Sequence, residues 1–253
     1  MRKVLVLQHV AWENLSTLEP LLRGGGFRTR YVNFDRDPEI SPTLEKYKGL
    51  FILGGPMGVY EKEKYSHLKT EIRLVEDALK NDIPILGICL GAQILAHVLG
   101  SHVRKHTVRE MAWHQVQVTE KGMGDPVLGH FQPTEYIFQS HGDTFDIPKT
   151  ADHLARSPLC ESQAFRYGKN AYGLQFHLEV NQAYIDRWSS LPGNKKYISK
   201  EGPTPEQVAT DTKKFLPRSI ELSNTAFSEF LKVFGDFNRK VVVGSGHGKP
   251  PKD

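Results

Sequence analysis

Apolar and amphipathic stretches alternate along the first hundred residues of the chain. Short apolar runs rich in β-branched residues are typical of buried strands in a parallel sheet, and they occur at residues 3–8, 27–34, 49–53 and 83–88. Stretches with helical periodicity or helix-stop signals lie between them, at residues 14–23, 65–81 and 90–99. Strands that alternate with helices predict a parallel sheet with helices on its faces.

The pattern changes after residue 100. Short apolar runs are now separated by turn signals such as Asp125-Pro126 and Ile147-Pro148. Up to residue 176 these runs predict short strands that extend the sheet in antiparallel fashion rather than forming a second domain.

The segment after residue 180 is predicted to be helical. It contains a loop around residues 191–195, a helix that begins near Pro205, and a last helix over residues 219–234. The predicted fold class is therefore α/β: a three-layer sandwich with a mostly parallel central sheet, a flavodoxin-like core, an antiparallel extension and C-terminal helices.

Length and composition allow one full hydrophobic core, because the chain has 253 residues and 39% hydrophobic content. We predict one domain at residues 1–190 and a helical extension at residues 191–236 that packs on the same domain. The tail at residues 237–253, rich in glycine, proline and lysine, is predicted to be disordered.

Charge and cysteine use narrow the partners and the compartment. A net charge of +4 with acids and bases interspersed gives no nucleic-acid footprint, and no apolar run suggests a membrane partner. Two cysteines do not suggest a disulfide framework, so we expect a cytoplasmic protein. We predict no cofactor and no metal, because His102, His106 and His114 lack a carboxylate or cysteine at a metal-like spacing.

Cys89 lies between the strand predicted at residues 83–88 and the helix predicted at residues 90–99. Gly87 and Gly91 on either side have no Cβ, so strand and helix can close into a sharp turn. The helix N-terminus offers unpaired amides and a partial positive charge, which favours the thiolate. The placement predicts a nucleophile, and the alternative is an ordinary buried cysteine.

His177 and Glu179 end another apolar run. Alternate residues of a strand point to the same face, so the two side chains are predicted to lie within reach of each other. A carboxylate orients an imidazole and stabilises its charged form, which suits a histidine base at the carboxyl end of a strand. The alternative is a structural pair on an ordinary strand.

The apolar run at residues 49–53 leads into Gly54-Gly55-Pro56. Backbone N–H groups in this turn have no helical or ladder partner. Together with the N–H of Leu90, they are predicted to bind the oxyanion of a tetrahedral acyl-transfer intermediate. The alternative is a plain turn.

Five stretches resemble one known family, the class I, triad-type glutamine amidotransferases. They are most similar to the glutaminase module of GMP synthase and its stand-alone relatives. The stretches span about residues 49–180 in the family's order, and they are FILGGPMG, LGICLGAQILAHVLG, MAWHQVQVT, FQSHGDTFDIP and QAFRYGKNAYGLQFHLEV.

The resemblance implies a role for each matched position. Cys89 would form a γ-glutamyl thioester, with His177 as base and proton donor and Glu179 as its partner. The amides of Gly55 and Leu90 would form the oxyanion hole. The substrate glutamine would be held by residues of three further segments, namely Met57, Gln93, Ser140, Gly142 and Asp143. One position departs from the family: Leu178 stands where proline is usual between the histidine and the glutamate.

Three functions are compatible with these residues. A glutaminase would hydrolyse glutamine and supply ammonia to an acceptor or to a synthetase in trans, and an exposed apolar patch at the mouth of the site would favour it. A stand-alone γ-glutamyl hydrolase or peptidase would act on γ-glutamyl amides or conjugates. A non-catalytic binding protein is disfavoured by the intact Cys89, His177 and Glu179. We expect the first.

Overall fold

The computed structural model describes residues 2–200 and 202–235, apart from the side chains of residues 199 and 200. The tail predicted at residues 237–253 lies outside the described residues. The strands are β1 (Arg2–Gln8), β2 (Phe27–Asn33), β3 (Leu50–Ile52), β4 (Ile85–Ile88), β5 (Val103–Val118), β6 (Thr134–Phe145), β7 (Asp152–Arg156), β8 (Ala164–Tyr167) and β9 (Ala171–Leu174). The α-helices are α1 (Leu18–Gly24), α2 (His67–Lys80), α3 (Leu90–Val98), α4 (Glu120–Met123), α5 (Gln182–Ser190), α6 (Pro192–Lys200) and α7 (Pro205–Leu231).

In the described part of the chain, the nine strands join one sheet in the order β2-β1-β3-β4-β9-β8-β7-β5-β6. The first five strands of this order pair in parallel, and 2-1-3-4 followed by the next parallel strand is the flavodoxin-like order. The other four pairings are antiparallel. The predicted α/β class is confirmed, with a large mixed sheet.

The prediction of a mostly parallel sheet is wrong. β5 and β6 are the longest strands, with 16 and 12 residues, so the antiparallel part of the sheet is the larger. The prediction of short strands in this region is wrong for β5 and β6 and is confirmed for β7, β8 and β9, which have 5, 4 and 4 residues. Polar residues interrupt the apolar runs of β5, but ladder hydrogen bonds between main-chain groups hold the two strands together regardless of side-chain polarity.

Helices cover both faces of the parallel strands. On one face, Phe230 of α7 joins a core that includes Val6 of β1. On the other face, Leu74 of α2 and Ile94 of α3 join a second core that includes Leu7 of β1. Because β1 is buried on both faces, its apolar run is continuous rather than alternating. Among the described helices, none is long and apolar enough to cross a membrane.

The C-terminal helices pack on the antiparallel strands. The ring of Phe138 in β6 meets that of Trp188 in α5 edge-on, with centroids 4.9 Å apart. The indole of Trp113 in β5 donates a 2.9 Å hydrogen bond to the hydroxyl of Thr212 in α7. The domain boundary at residue 190 stays a prediction.

Two predictions about these helices are wrong. Most of the loop predicted at residues 191–195 belongs to α6, where Pro192 occupies the first helical position and its missing N–H costs nothing. The two helices predicted after residue 203 form the single helix α7, which continues through Pro217. Pro217 is exposed while Leu216 and Ser219 are buried, so solvent can satisfy the carbonyl that loses its donor.

Two glycines let α3 approach the sheet directly. A Cβ at Gly91 would overlap the carbonyl oxygen of Ile52 in β3, and a Cβ at Gly87 would overlap the backbone of Gly91. Backbone atoms cannot move aside as a flexible side chain can. β4 ends at Ile88 and α3 begins at Leu90, so the turn consists of Cys89 alone, as the sequence predicts.

We expect Gly91→Ala to lower the free energy of unfolding by at least about 2 kcal/mol, because the added methyl group forces α3 away from β3. Urea denaturation followed by circular dichroism measures this. Gly24→Ala is the matched control, since a Cβ there meets nothing within 4 Å. Equal stability of the two variants would contradict the close packing described above.

Candidate active site

Cys89 holds a backbone conformation that few residues adopt. Its φ is 52° and its ψ is −107°, in a region that non-glycine residues occupy at a cost of order 1–3 kcal/mol. Two main-chain hydrogen bonds fix it, from Cys89 N to the carbonyl of Leu174 at 2.8 Å and from Gln93 N to the carbonyl of Cys89 at 3.1 Å. The side chain is 6% exposed, and its sulfur donates to the carbonyl of Ser140 at 3.7 Å.

His177 and Glu179 form a buried pair. The Nδ1 atom of His177 and the Oε1 atom of Glu179 are 2.7 Å apart, and both residues are almost fully inaccessible to solvent. They lie beyond the end of β9 rather than in it, and an antiparallel bridge to Phe138 of β6 fixes His177 through its amide, at 2.8 Å from the Phe138 carbonyl. The Nε2 atom of His177 is buried without a hydrogen-bond partner among the described residues.

The Gly54-Gly55 turn lies against both the cysteine and the histidine. A Cβ at Gly54 would come within 3.2 Å of His177 Cε1, and a Cβ at Gly55 would come within 3.0 Å of Leu90 Cδ2. The amide of Gly55 has no hydrogen-bond partner in the described part of the chain. The turn after β3, the start of α3 and the segment after β9 therefore meet, as the sequence predicts.

A cavity of about 450 Å³ opens above Cys89. This volume is within the usual range for small-molecule sites. The five residues predicted to hold the substrate all line it, together with Gly55; they are Met57, Gln93, Ser140, Gly142 and Asp143. Leu90, His177 and Glu179 lie outside the lining.

Several of these side chains already have protein partners. Gln93 donates to Gln175 Oε1 at 3.1 Å. The hydroxyl of Ser140 accepts from the indole of Trp188 at 2.8 Å. Asp143 accepts from the hydroxyl of Tyr60 at 3.0 Å, and burial raises the pKa of its carboxyl. Of the five predicted substrate residues, Gln93, Ser140 and Asp143 therefore already form side-chain hydrogen bonds with other described residues.

Burial and charge act in opposite directions on the cysteine and the histidine. Burial raises the pKa of the Cys89 thiol, and the neighbouring His177 and the Leu90 amide offset only part of the rise. Burial lowers the pKa of His177, but the Glu179 carboxylate and the Cys89 sulfur together outweigh it and raise the pKa well above its ordinary value. The Leu90 amide at the helix N-terminus lowers the pKa of the thiol, which is the direction that the sequence predicts, but by less than burial raises it. Ionisation of the sulfur depends on the imidazole.

Glu13 is a site residue that no sequence motif marks. Its Oε2 atom abuts Gly54, next to the imidazole of His177, and is buried without a hydrogen-bond partner among the described residues. Burial raises the pKa of its carboxyl, the charge of His177 offsets only part of the rise, and the negative charge of Glu179 adds to it. The signal that was available is a carboxylate shortly after the carboxyl end of β1, the edge at which open α/β sheets bind ligands.

A second unpredicted cluster lies behind the Gly54-Gly55 turn. His9 Nε2 and His67 Nδ1 each lie 2.8 Å from a different oxygen of Glu71, and His9 Nδ1 lies 2.8 Å from the carbonyl oxygen of Gly54. All three side chains are buried. Donor atoms this close can also hold a metal ion, but here they satisfy one another. The available signal is Glu71 itself, a charge on the apolar face of α2.

Helix α5 places Tyr184 next to His177. The hydroxyl of Tyr184 is 3.5 Å from His177 Nδ1, and the aromatic rings of the two residues have centroids 6.0 Å apart. Burial raises the pKa of Tyr184 well above its ordinary value, so its hydroxyl stays protonated.

Comparison with known proteins identifies the family. A sequence model described as glutamine amidotransferase class-I matches residues 15–186. The chain belongs to this family. A crystal structure of a glutamine amidotransferase from Thermotoga maritima is 34% identical, covers 92% of this chain and 97% of its own, and superimposes with a TM-score of 0.80.

Other amidotransferase relatives extend the comparison. A glutamine-hydrolyzing GMP synthase subunit from Methanosarcina acetivorans is 35% identical over 159 residues, which are 59% of this chain and 77% of that protein. The glutamine amidotransferase-like protein YfeJ of Salmonella typhimurium is 25% identical over 187 residues, 73% of this chain and 78% of its own length.

Leu178, the departure from the family pattern, is 1% exposed and belongs to the main hydrophobic core.

We expect Glu13→Gln to stabilise the protein increasingly as pH rises from 5 to 8. A carboxyl whose pKa is raised by folding binds its proton more tightly in the folded state than in the unfolded chain. The wild type therefore loses stability as pH rises above the ordinary glutamate pKa of about 4.3 and through the raised value, whereas glutamine does not titrate.

Thermal unfolding of both proteins across this pH range tests the expectation. Glu45→Gln, at an exposed glutamate, controls for the change in net charge. A difference in melting temperature between Glu13→Gln and wild type that shrinks with rising pH would contradict the raised pKa of Glu13.

Proposed function

We propose that this protein hydrolyses the side-chain amide of glutamine through a γ-glutamyl thioester on Cys89 and supplies the ammonia to an acceptor or partner synthetase. The observation that carries the proposal is the buried His177–Glu179 pair beside Cys89, under a cavity that the predicted substrate residues line. Membership of the family agrees with it.

In the first half of the proposed reaction, the sulfur of Cys89 attacks the side-chain carbonyl carbon of glutamine while its proton passes to His177 Nε2. This nitrogen has no competing partner among the described residues. Glu179 stabilises the imidazolium that forms. The amides of Gly55 and Leu90 bind the oxyanion of the tetrahedral intermediate. When the intermediate collapses, its carbon–nitrogen bond breaks, the nitrogen takes the proton from His177 and leaves as ammonia, and the thioester remains on Cys89.

In the second half, a water molecule loses a proton to His177 and attacks the thioester carbon. The carbon–sulfur bond breaks, glutamate is released and the proton returns to the Cys89 sulfur. Because burial raises the pKa of Cys89, the sulfur is a good proton acceptor at this point and the resting thiol is restored.

A partner in trans is supported by two features. The Methanosarcina relative is named as one subunit of GMP synthase. In this chain, Tyr60 lines the cavity with 46% of its surface exposed, and Val108 is 40% exposed between the cavity-lining residues His106 and Arg109. Exposed apolar side chains at the mouth of a site favour a protein that docks there to receive ammonia before water protonates it.

We expect Cys89→Ser to abolish release of glutamate from glutamine, with a rate at least about 10³-fold below wild type, because serine lacks the nucleophilic sulfur. Glutamate release is measured with purified protein over a panel of γ-glutamyl amides that includes glutamine. Circular dichroism checks that the variant folds.

Cys160→Ser is the matched control. Cys160 is the second of the two cysteines and is also buried, but its sulfur contacts the Thr144 hydroxyl rather than His177. It should retain wild-type turnover. An unaltered rate in Cys89→Ser would move the chemistry to another residue.

A second candidate function is hydrolysis of γ-glutamyl conjugates without a partner, and one observation favours it. Lys105, His106 and Arg109 line the same cavity. Lys105 faces Asp143 across the β5–β6 ladder and interacts with its carboxylate, whereas Arg109 forms no ion pair with another described residue. An unpaired guanidinium at the mouth suits a substrate whose leaving amine carries a carboxylate, as in a γ-glutamyl peptide.

For this second function, Arg109→Met should lower kcat/KM for γ-glutamylglycine about fivefold and leave that for glutamine within twofold. A fivefold loss corresponds to removing one exposed ion pair worth about 1 kcal/mol. Arg28→Met, at an exposed arginine on the far edge of the sheet, is the control. If glutamine is the better substrate of the wild type and Arg109→Met affects both substrates equally, the conjugate hydrolase is excluded.

A further inference from the structure

His9 joins the Gly54-Gly55 turn to a buried carboxylate. Its Nδ1 atom is 2.8 Å from the carbonyl oxygen of Gly54, and its Nε2 atom is 2.8 Å from Glu71 Oε2. The side chain is fully inaccessible to solvent. His9 precedes the first residue that the family model matches.

The two partners of His9 decide its protonation. A backbone carbonyl oxygen can only accept a hydrogen bond, and so can an ionised carboxylate. Both ring nitrogens must therefore carry a proton, which makes His9 an imidazolium. Charge-assisted hydrogen bonds of this kind are shorter and about twice as strong as neutral ones.

The bond to Gly54 constrains the next amide along the chain. The carbonyl of Gly54 and the N–H of Gly55 belong to one trans peptide group, so they point in opposite directions. Because His9 holds the Gly54 carbonyl, the Gly55 N–H points away from His9. This amide has no hydrogen-bond partner among the described residues. A cationic donor also polarises the peptide group and strengthens that N–H as a donor.

We propose that His9 is a positioning residue: a protonated imidazole, held by Glu71, that orients and polarises the Gly54–Gly55 peptide so that the Gly55 amide binds the oxyanion. The inference rests on the proposed function, because it assigns the role of His9 to that reaction. It also explains why Gly55 lacks a side chain, since a Cβ there would come within 2.8 Å of His9 Cβ.

The surroundings of His9 favour its charged form. Glu71 and His67 face it from α2, Glu13 lies on the segment after β1, and the ring of Phe34 stacks at 6.1 Å. Burial lowers the pKa of His9, but Glu71, with help from the Gly54 carbonyl and Glu13, raises it above the ordinary value. Burial raises the pKa of Glu71, but the two histidines outweigh it and hold the pKa below its usual range.

Two variants separate the two hydrogen bonds of His9. In His9→Asn, the amide nitrogen takes about the place of Nδ1 and can still donate to Gly54. In His9→Gln, the amide nitrogen takes about the place of Nε2 and can still donate to Glu71. Each variant keeps one of the two hydrogen bonds and loses the other. Both variants lose the imidazole ring and its positive charge.

We expect activity and stability to rank these variants in opposite orders. His9→Gln should lower kcat for glutamine about 100-fold with KM within threefold, the effect of losing one oxyanion donor. His9→Asn should keep at least about ten times more kcat than His9→Gln, although it melts at a lower temperature because Glu71 loses a partner. If kcat follows the melting temperature, so that His9→Asn is the worse enzyme, His9 is a packing residue and the inference fails.

Nuclear magnetic resonance tests the same inference without turnover. In Cys89→Ser protein labelled with ¹⁵N at pH 8, His9 should show two protonated ring nitrogens. The ¹⁵N shift of the Gly55 amide reports the hydrogen bond on the preceding carbonyl, and should change in His9→Gln more than in His9→Asn. A neutral His9 ring, or equal Gly55 shifts in the two variants, would overturn the inference.

The two proposals fail separately. A wild type that hydrolyses no γ-glutamyl amide contradicts the proposed function, while the spectra still decide the charge of His9 and its hold on Gly54. Normal turnover with equal loss of kcat in the two His9 variants contradicts only the inference.

Discussion

The arrangement of the site depends on how closely α3 approaches the sheet. Gly91 lies against the backbone of β3 and Gly87 against the first turn of α3, and neither position has room for a Cβ. This contact forces the chain to reverse within one residue, so Cys89 adopts a positive φ that it would avoid elsewhere. The hydrogen bond from Cys89 N to the Leu174 carbonyl then ties the turn to β9. The strain persists because backbone contacts on both sides leave no other conformation.

Burial disfavours charged side chains at the site, and neighbouring charges oppose this effect. The Cys89 sulfur and the His177 ring are both buried, which disfavours the charged form of each. Glu179 compensates the histidine through a 2.7 Å hydrogen bond, and the imidazole is the nearby group able to take the proton of the thiol. The same device recurs where His9 is held by Glu71. Two buried histidines beside carboxylates thus lie on either side of the Gly54-Gly55 turn, His177 at the site and His9 behind it.

The cavity closes because the antiparallel part of the sheet returns to the parallel part. β6 is the last strand in the order of the sheet, yet Phe138 forms a bridge with His177, and the Ser140 carbonyl accepts from the Cys89 sulfur. Trp188 of α5 fixes the hydroxyl of Ser140 from outside. The length of β5 and β6 is what lets this pair reach across, and it also made the antiparallel part larger than the sequence indicates.

What the sequence alone determined is local: the one-residue turn at Cys89, the reach of His177 to Glu179, and the Gly54-Gly55 turn. Each is set within a few positions of the chain, by missing Cβ atoms at the two turns and by the two-residue spacing of His177 and Glu179, which lie just beyond β9 rather than in it. The sequence also predicts the α/β class and the meeting of the three segments. The larger antiparallel part of the sheet, the buried Glu13 and the contact of His9 with Glu71 appear only in the tertiary structure. His9 and Glu71 are 62 positions apart, and no local pattern pairs them. Contacts between distant segments follow from how elements pack, and that packing is a property of the whole chain rather than of any short stretch.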